Sequence, residues 1–481
     1  MPAPLDRRRR LTVLAICCMS LFIVGLDNTI VNIALPSIRR DLHASVSELQ
    51  WTIDAYTLVL ASLLMLAGST ADRLGRARVF QTGLLVFTIG SLACSMAPTV
   101  GWLVFFRMVQ AVGGSMLNPV AMSIIRNTFH DPRERAQAIG VWGGVIGVSM
   151  ALGPVLGGAL VALSWRAIFL VNIPVGLLAI ALTARFVPES RAPRARRVDP
   201  VGQLLVVVML ASLTYAIIEG PGAGWASTEI VALFAIAAAA LVGLLLYEPR
   251  RREPLIELRF FRSAPFSGAT VIAVSAFAAL GGFLFLNTLY LQEVRGVSAL
   301  HAGLLTLPMA AMTIVCGPLS GRVVGSRGAR PSLVLGGTGI AISSLMLVGL
   351  SATTPVGWLI AAYVVFGIGF GVVNPPITNT AVSGMPASQA GVAAAVASTS
   401  RQVGASLGVA VVGAATTAGI AGTLHAGLAE ASHAGWWIIA ACGVTVLVVG
   451  VATTTPWAAA TARRAASELV EGTPAPAAAQ T

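Results

Sequence analysis

The sequence predicts an all-helical integral membrane protein with fourteen spanning helices, and three observations support this fold class. Hydrophobic residues make up 56% of the 481 residues and charged residues only 10%, with a mean hydropathy of +0.84. A soluble globule of this length needs more polar surface. The apolar residues form about fourteen stretches, each long enough to cross a hydrocarbon layer of about 30 Å as a helix. The basic residues lie mostly in alternate gaps between these stretches.

The first stretch begins at Leu11, directly after four arginines, and so imitates a signal peptide. It continues past Asp27 without a small-residue cleavage site, which favours a retained first helix. The thirteen later stretches follow one another with short gaps, and a count of twelve helices is the main alternative. The predicted spans cover residues 11–35, 51–70, 79–98, 101–123, 137–161, 167–187, 201–219, 227–247, 266–292, 301–321, 331–351, 356–382, 393–418 and 436–457.

The arginine distribution predicts the orientation in the membrane. All 31 basic residues are arginine, and 25 of them lie on the side of the N-terminus. Four lie on the opposite side, and Arg107 and Arg401 lie at membrane depth. The positive-inside rule therefore predicts a multi-pass protein of the cytoplasmic membrane with both termini in the cytoplasm. The net charge of +12 would suggest nucleic acid in a soluble protein, but here it is divided among short loops, and no nucleic-acid partner is predicted.

The two longest charged linkers divide the chain. They lie around residues 185–199 and 247–262, one before and one after the pair formed by the seventh and eighth spans. A faint repeat, GSTADRLGRAR at 68–78 and GPLSGRVVGSRGAR at 317–330, closes the second helix of each remaining group of six. Such repeated bundles are common in transporters, where the substrate path lies between them. The predicted segments are a cytoplasmic N-terminus (1–10), a six-helix bundle (11–187), a linker with an inserted helix pair (188–262), a second six-helix bundle (263–457) and a disordered cytoplasmic tail (458–481).

Asp27 is the most informative single residue, because it is an acid in the middle of the first span. An ionised carboxylate there costs at least about 2.5 to 3.5 kcal/mol on insertion scales, so it should face a cavity, pair with a base or bind a proton. One interpretation is proton or cation coupling. The other is a structural acid that is hydrogen-bonded to neighbours such as Asn28 and Asn32.

Asp54 and Arg107 are the next candidates. Asp54 lies about one turn into the second span, where it serves either coupling or only a favourable interaction with the helix dipole. Arg107 lies inside the fourth span, where a guanidinium does not readily discharge and needs carbonyls, water or a carboxylate. Asp27 is a possible partner, and simple helix packing is the alternative. Aromatic faces beside the acids, such as Trp51 and Tyr56, would suit a lipophilic cation.

Three glycine- or proline-containing segments are candidates for conformational change. In the loop after the second span, glycines permit a tight reversal of the chain, and an acid lies beside arginines. Contacts between these charges either break and form as two bundles rock, or the loop only fixes the orientation of the protein in the membrane. The fifth span has a smooth glycine face with a proline bend, for movement or for packing alone. The twelfth span offers amides beside a Pro-Pro pair. The residues are Gly68, Asp72, Arg73, Gly75, Arg76 and Arg78; Gly153, Pro154, Gly157 and Gly158; and Asn374 and Asn379.

The remaining reactive residues do not form a catalytic pattern. The five histidines are scattered in or beside loops, and the five cysteines lie inside apolar stretches. No nucleotide-binding loop or metal-ligand spacing is present in the sequence. We therefore expect no enzymatic activity, no cofactor and no metal, with a membrane enzyme or sensor as a distant alternative.

Together these segments resemble the major facilitator superfamily and, within it, the fourteen-helix drug:proton antiporters. The resemblance runs from about Leu11 to Trp457. It is carried by the loop at 68–78, by LDNTIVNIALP around Asp27, by WTIDAYTL around Asp54, by Arg107 with Gln110, and by the Gly-Pro motif of the fifth span. WRAIFLVNIPVG at 165–176 and IIEGPGAGW at 217–225 also look like signatures of this family. The second-bundle loop departs from the pattern, because Gly321 occupies the position that corresponds to Asp72.

The resemblance implies a major facilitator fold and proton-driven export by alternating access. Asp27 would exchange the proton, and Arg107 would tune or relay that proton. Asp72 with Arg76 would latch the cytoplasmic gate. The implied partners are protons, the lipid bilayer and a small-molecule substrate, either a lipophilic cation or a neutral antibiotic, bound by a monomer. A transporter of one specific metabolite, including an importer, is the nearest alternative, because the fold does not fix the direction of transport. The all-arginine, Ala- and Gly-rich composition hints at a GC-rich bacterial genome.

Overall fold

The computed structural model describes residues 6–192, 199–251, 253–383, 385, 389–420 and 424–471, and these form α-helices without any β-strand. The predicted all-helical fold class is confirmed. The helices are α1 Arg7–Leu42, α2 Val46–Leu74, α3 Arg76–Ser95, α4 Val100–Ser115, α5 Asn118–Thr128, α6 Pro132–Val161, α7 Ala167–Leu170, α8 Asn172–Phe186, α9 Pro200–Ala223, α10 Thr228–Tyr247, α11 Ala264–Leu289, α12 Ala299–Arg327, α13 Arg330–Leu347, α14 Val356–Val382, α15 Ala390–Gly419, α16 Leu424–Thr453 and α17 Pro456–Glu471.

These helices are consistent with fourteen membrane crossings. Within the described residues, thirteen helical segments are long and apolar enough to span a bilayer. Two of them are interrupted, since α4 continues into α5 and α7 continues into α8. The 30-residue helix α6 supplies the fourteenth crossing. "Inner" and "outer" below follow the orientation that the arginine distribution predicts.

Local sequence explains where the second helix begins and ends. Ser45 accepts a hydrogen bond from the backbone of Glu48, and the Glu48 side chain accepts one from Ser45, so a capping box opens α2. At the other end Gly75 has φ +117°, a conformation that L side chains rarely adopt. The chain therefore reverses there within one residue and starts α3 immediately.

The crossings form two halves with the inserted pair at their side. Helices α1–α8 pack around one another, and α11–α16 do the same. Helices α9 and α10 pack mainly on each other, and α9 also contacts α2 of the first half and α15 of the second. Between the halves, the main contacts pair α6 with α12 and α2 with α15. A membrane-depth seam between the two halves thus runs along α2 and α15.

The halves meet at their outer ends. Gln50 Nε2 on α2 donates to the carbonyls of Val409 and Ala410 on α15, at 3.2 and 3.1 Å. Gln292 Nε2 donates to the carbonyl of Ile33 at 2.9 Å. An ion pair between α1 and the segment that follows α11 joins Arg39 to Glu293 at 3.3 Å. These contacts hold the two halves together on the outer side.

The pair α6 and α12 separates toward the inner side. A Cβ on Gly158 would lie 2.5 Å from Cα of Leu300, and one on Gly303 would lie 2.2 Å from the carbonyl oxygen of Pro154. Gly140 and Gly321 lie about five helical turns inward on the same two faces. Among the described residues nothing comes within 4 Å of a Cβ built on either of them. The same faces therefore touch outside and part inside, which is an inward-open arrangement.

One expectation about the end of the chain is wrong. The sequence predicts a disordered tail from residue 458, but α17 is helical over Pro456–Glu471, and residues 472–481 lie outside the described residues. A buried stripe at helical spacing runs along α17 through Ala458, Ala462, Ala465 and Leu469. This helix also accepts a hydrogen bond from the backbone at the start of α11. An amphipathic face that finds a packing partner is enough to order this alanine-rich segment.

Candidate functional site

Asp27 and Arg107 form an ion pair at the centre of the first half. Both side chains are almost completely buried, with exposures of 0% and 1%. Arg107 Nη1 donates to Asp27 Oδ2, and its Nε donates to the carbonyl of Thr52 at 3.2 Å. The guanidinium carbon also lies 4.1 Å from the centre of the Tyr56 ring. The sequence predicts Asp27, Arg107 and Tyr56 separately, and the structure joins them in one cluster.

Three polar side chains that were not among the predicted site residues complete this cluster. Gln110 Nε2 and Asn172 Nδ2 donate to Asp27 Oδ1 at 2.9 and 3.2 Å. Both also donate to Ser91 Oγ, at 3.2 and 3.0 Å, and Arg107 Nη1 donates to Gln110 Oε1 at 2.8 Å. The sequence gives one indication of their importance, because Gln110 and Asn172 lie within segments that resemble the superfamily. The network links α1, α2, α3, α4 and α8. The Asp27 carboxylate therefore has its counter-charge and its hydrogen-bond donors within the first half.

Asp54 lies apart from this cluster, on the seam between the halves. Its side chain is fully buried one turn inward from Gln50, which bonds α15 across the seam. Two hydroxyl side chains lie beside the carboxyl group, Thr57 of α2 itself and Ser406 of α15 in the other half. Within the described part of the chain, neither carboxylate oxygen accepts a hydrogen bond with good geometry, and no cation pairs with it. Asp54 is therefore a buried acid at the contact between the halves that has no ion-pair partner among the described residues.

The remaining predicted binding residues of the first half do not converge on Asp27. Trp51 Nε1 donates to Glu219 Oε1 on α9 at 2.8 Å. Asn28 and Asn32 stack one turn apart on α1, with Asn32 Nδ2 donating to the Asn28 carbonyl at 3.2 Å. Among the described residues, their side-chain oxygens are buried without a partner. Trp51 thus contacts the inserted pair, whereas the asparagines offer unused acceptors on α1.

The loop between α2 and α3 is held by Glu189, a residue that the sequence did not indicate. Glu189 accepts from the backbone N–H groups of Ala77 and Arg78 at 3.1 and 3.2 Å, so its carboxylate caps α3. A Cβ on Gly75 would lie 2.6 Å from this carboxyl group, which explains the glycine. Asp72 accepts from Arg76 within the loop at 2.8 Å. In this inward-open state Asp72 therefore forms its ion pair within the first half.

The other positions in this loop have smaller roles. Gly68 has open room around a built Cβ, with Pro119 nearest at 3.9 Å. Arg78 Nε lies 3.6 Å from the Glu189 carboxylate and is mostly exposed. Arg73 is exposed at the end of α2 and does interact with another group. The contacts within the described loop therefore concentrate on its glycine reversal and on the pair of Asp72 with Arg76.

The glycines of α6 form close helix contacts. A Cβ on Gly153 would meet Thr29 at 1.9 Å, and one on Gly157 would meet Ile30 at 2.9 Å, so both fit against α1. Gly158 and the carbonyl of Pro154 contact α12 instead. Because this segment packs on both halves at once, the Gly-Pro motif lies at the outer contact between them.

Asn374 and Asn379 lie in the inner part of α14, far along the chain from the cluster around Asp27. Asn379 is exposed, as is its neighbour Thr378. Asn374 is partly buried, and its Oδ1 lacks a partner among the described residues. The structure therefore places the predicted polar groups on both halves rather than in a single pocket.

Sequence comparison identifies relatives over most of the chain. A sequence model of the Major Facilitator Superfamily matches residues 17–409. Multidrug resistance protein Stp of Mycobacterium tuberculosis is 35% identical over 89% of this chain and 79% of that protein. The tetracenomycin C resistance and export protein of Streptomyces glaucescens is 38% identical over 84% and 75%. Multidrug efflux pump LfrA of Mycolicibacterium smegmatis is 33% identical over 85% and 81%.

Structural comparison supports the fold independently. A bacterial homologue of the human lysosomal transporter Spinster, solved in an inward-facing and occupied conformation, matches with a TM-score of 0.67. The match covers 97% of this chain and 98% of that chain at 18% identity. At that identity the likeness concerns the fold alone. The sequence comparison confirms the resemblance to the superfamily, and the structural comparison confirms the fold.

Proposed function

Because the chain belongs to the Major Facilitator Superfamily, we propose that it is a bacterial exporter that moves drugs or similar amphipathic molecules out of the cytoplasm in exchange for protons. Relatives named for multidrug resistance, antibiotic export and drug efflux support this substrate class. The protein would act as a monomer in the cytoplasmic membrane, with both termini in the cytoplasm. Proton flux drives it, and it needs no cofactor and performs no catalysis.

The inward-open arrangement supports loading from the cytoplasm. The outer ends are held together by Gln50, Gln292 and the ion pair of Arg39 with Glu293. The faces of α6 and α12 part toward the inner side. A substrate therefore enters from the cytoplasm or inner leaflet, and rocking about the outer contact of α6 with α12 as a pivot would release it outside. A proton gradient drives this cycle if proton binding has different affinities in the two states.

The single observation that carries the coupling proposal is the unpaired Asp54 at the seam. An ionised carboxylate without a partner is costly at membrane depth, so the buried state favours a proton on Asp54. Opening the outer side would separate α2 from α15 and expose this carboxyl group to the outside. Asp54 would then take up its proton outside and carry it through the rocking step.

Asp27 and Arg107 have a complementary role in this proposal. The ion pair is fully bonded within the first half, so proton binding to Asp27 requires Arg107 to release it. That exchange would loosen bonds among five helices and so couple protonation to the shape of the half. Asp72 and Arg76, which bond each other here, would latch the inner gate when the halves close.

The proposal is tested by proton release from acidified everted vesicles after addition of cationic, neutral and anionic drug-like compounds. We expect at least one class to release protons from native vesicles. Asp27→Asn and Asp54→Asn should each abolish that release, because asparagine keeps the shape and removes the titrating proton. Asp131→Asn is the matched control, since Asp131 caps α6 at the inner surface and asparagine caps equally well.

The outcomes separate the parts of the proposal. Normal release in both Asn variants would overturn coupling through these acids. Compound transport without any proton movement would overturn antiport while retaining export. If no compound is moved by folded, inserted protein, an exporter of one specific metabolite becomes the better hypothesis.

A further inference from the structure

Arg401 is a membrane-depth cation in the second half that the coupling proposal does not use. It lies eleven residues after Ala390, so its Cα is about 16 Å along α15 from the inner end of that helix. Its Nη2 donates to Thr378 Oγ1 on α14, and its guanidinium carbon lies 5.9 Å from the Phe277 ring on α11. Three helices of the second half therefore meet around this side chain.

No carboxylate balances this charge in the part of the chain that the structure describes. Arg401 forms no ion pair there, and no charged group influences it. The sequence explains why: from residue 264 to residue 457 the only acids are Glu293 and Glu430, and both lie near the outer side. Arg107 of the first half, by contrast, is bonded to Asp27. Arg401 is thus a cation at depth with its counter-charge missing.

Further polar atoms without a hydrogen-bond partner among the described residues lie on and beside Arg401. Its Nε is buried and has no hydrogen-bond partner among the described residues. Asn374 lies one helical turn from Thr378 on the same face of α14, and its Oδ1 is also without a partner there. Phe277 packs edge-on against Phe370 at 5.2 Å, which supplies an aromatic wall. Most of α14 upstream is buried, whereas Thr378 is exposed on the inner side where the halves part.

We propose that Arg401, Thr378 and Asn374, with the Phe277 wall, form a subsite for the anionic or strongly electron-rich oxygen of an aromatic substrate. A guanidinium binds a carboxylate or phenolate through two N–H donors, and a missing counter-ion leaves these donors available. The inference rests on the proposed export function and names a substrate class for it. It differs from the lipophilic cation that the acids of the first half suggest.

The depth of the residue favours a substrate over a lipid headgroup as the source of the anion. Phosphates lie at the membrane surface, whereas the Arg401 guanidinium lies beside the ring of Phe277, which is thirteen residues or about 20 Å into α11 from the inner end of that helix. Its contact with Thr378 lies in the inner part of α14, between elements of the second half. A lipid phosphate has the same chemistry, so the test includes it as a competitor.

The test measures equilibrium binding of two related dyes to purified full-length protein in neutral detergent. Fluorescein carries negative charge at neutral pH, and a rhodamine ethyl ester has the same ring system with positive charge. Arg401→Gln should weaken fluorescein binding by about tenfold or more, as expected for loss of a hydrogen bond to a charged group. Rhodamine binding should change by less than about threefold. Arg401→Lys keeps the charge without the planar donor pair and should recover only part of the affinity.

Arg463→Gln is the matched control, because it removes one exposed arginine from α17 on the same side. It should leave the affinities of both dyes unchanged. Equal loss of both dyes in Arg401→Gln, in protein that still elutes as a folded monomer, would overturn the subsite and assign Arg401 to helix packing. Unchanged fluorescein binding would also overturn it. Full competition of fluorescein by phosphatidylglycerol, with no transport of the dye, would assign the site to lipid.

The same dyes separate this inference from the proposed function. In everted vesicles, proton release by the rhodamine ester that survives Arg401→Gln would leave the export function standing. Loss of fluorescein transport alone would then locate anion recognition at Arg401. If neither the dyes nor any compound of the panel is transported by the native chain but the binding difference persists, the subsite holds and the drug-export proposal fails.

Discussion

At the scale of single residues, the clearest feature is that two buried acids differ in their ion-pair and hydrogen-bond partners. Asp27 receives donors from Arg107, Gln110 and Asn172, whereas Asp54 has no strong partner in the described chain. The sequence predicts that both acids matter, because an acid at membrane depth is costly. It does not predict which of them is paired, since the partners come from helices far apart in the chain. Only the arrangement of α1, α4 and α8, which brings Arg107, Gln110 and Asn172 to Asp27, settles that.

Breaking the buried pair should destabilise the first half strongly. Arg107→Gln leaves the Asp27 carboxylate without its cation and should lower the free energy of unfolding by about 3 to 5 kcal/mol. Asp27→Asn should also be costly, but the double variant Asp27→Asn with Arg107→Gln should recover part of the loss because no unpaired charge remains. A denaturant titration in detergent measures all three.

The partly exposed pair of Arg10 with Glu134 supplies the control for that cycle. Arg10→Gln should cost less than about 1 kcal/mol, because solvent screens such pairs. Strict additivity of the Asp27 and Arg107 effects would contradict a direct interaction between them.

At the scale of helices, the glycines of α6 have two different uses that the sequence alone does not separate. Their number predicts close packing, but not which glycine meets which helix. Gly153 and Gly157 fit against α1 of their own half, whereas Gly158 fits against α12 of the other. The distinction depends on the crossing of three helices, which is a tertiary property. We therefore expect one added methyl group at the outer contact of α6 with α12 to change the balance between the inward-open and outward-open states.

Gly158→Ala should shift the protein away from the inward-open state. The new Cβ would lie 2.5 Å from Cα of Leu300, and backbone cannot yield as a flexible side chain does. Spin labels near the inner ends of α6 and α12 should therefore report a larger population of short distances. Gly140→Ala on the same face should act oppositely or not at all, because this state leaves open space there among the described residues. Identical distance distributions in both variants would contradict the pivot.

The start of α3 gives a second test at this scale. Glu189→Ala removes the acceptor of the Ala77 and Arg78 amides and should cost about 1 kcal/mol, as loss of a helix cap does. Hydrogen exchange of these amides should accelerate by about fivefold. Glu189→Gln keeps one acceptor oxygen and should show a smaller change. Unaltered protection in the alanine variant would mean that the cap does not hold the loop.

For the whole molecule, the sequence predicts the number of crossings and the family well, because apolar length and short motifs are local properties. It does not predict the conformational state, which depends on contacts between halves. It also misses the order of α17, whose stripe of small residues is apolar only in relation to the surface that it covers. The place of the inserted pair is a third such property, since α9 touches both halves.

The polar contacts of α9 tie the inserted pair to the first half. Gln203 Nε2 donates to the carbonyl of Ser62 in the inner part of α2. At the outer end of α9, Glu219 accepts from Trp51 at 2.8 Å and from Ser47 at 3.0 Å. Polar bonds this far apart along one helix resist both sliding and tilting of α9 against α2.

The contact of α9 with the second half has a different character. Val403 of α15 packs against an apolar cluster to which α9 contributes Val206 and Leu210 and α2 contributes Leu58 and Ala61, and among the described residues no side-chain hydrogen bond joins α9 to α15. Apolar surfaces slide past each other at less cost than hydrogen bonds break in lipid. The chemistry of the two faces of α9 therefore indicates which half the inserted pair follows.

We therefore expect α9 to move with α2 and to slide past α15 when the halves rock. Spin labels on α9 and α2 should keep one distance in the inward-open and outward-open states, while the distance of a pair on α9 and α15 should change by several ångströms. Glu219→Gln combined with Gln203→Leu removes the charged acceptor and the inner bond, and should broaden the α9–α2 distribution. The control is Glu430→Gln, because Glu430 is an exposed acid of α16 on the same outer side, and it should leave that distribution narrow. A constant α9–α15 distance with a changing α9–α2 distance would assign the inserted pair to the second half instead.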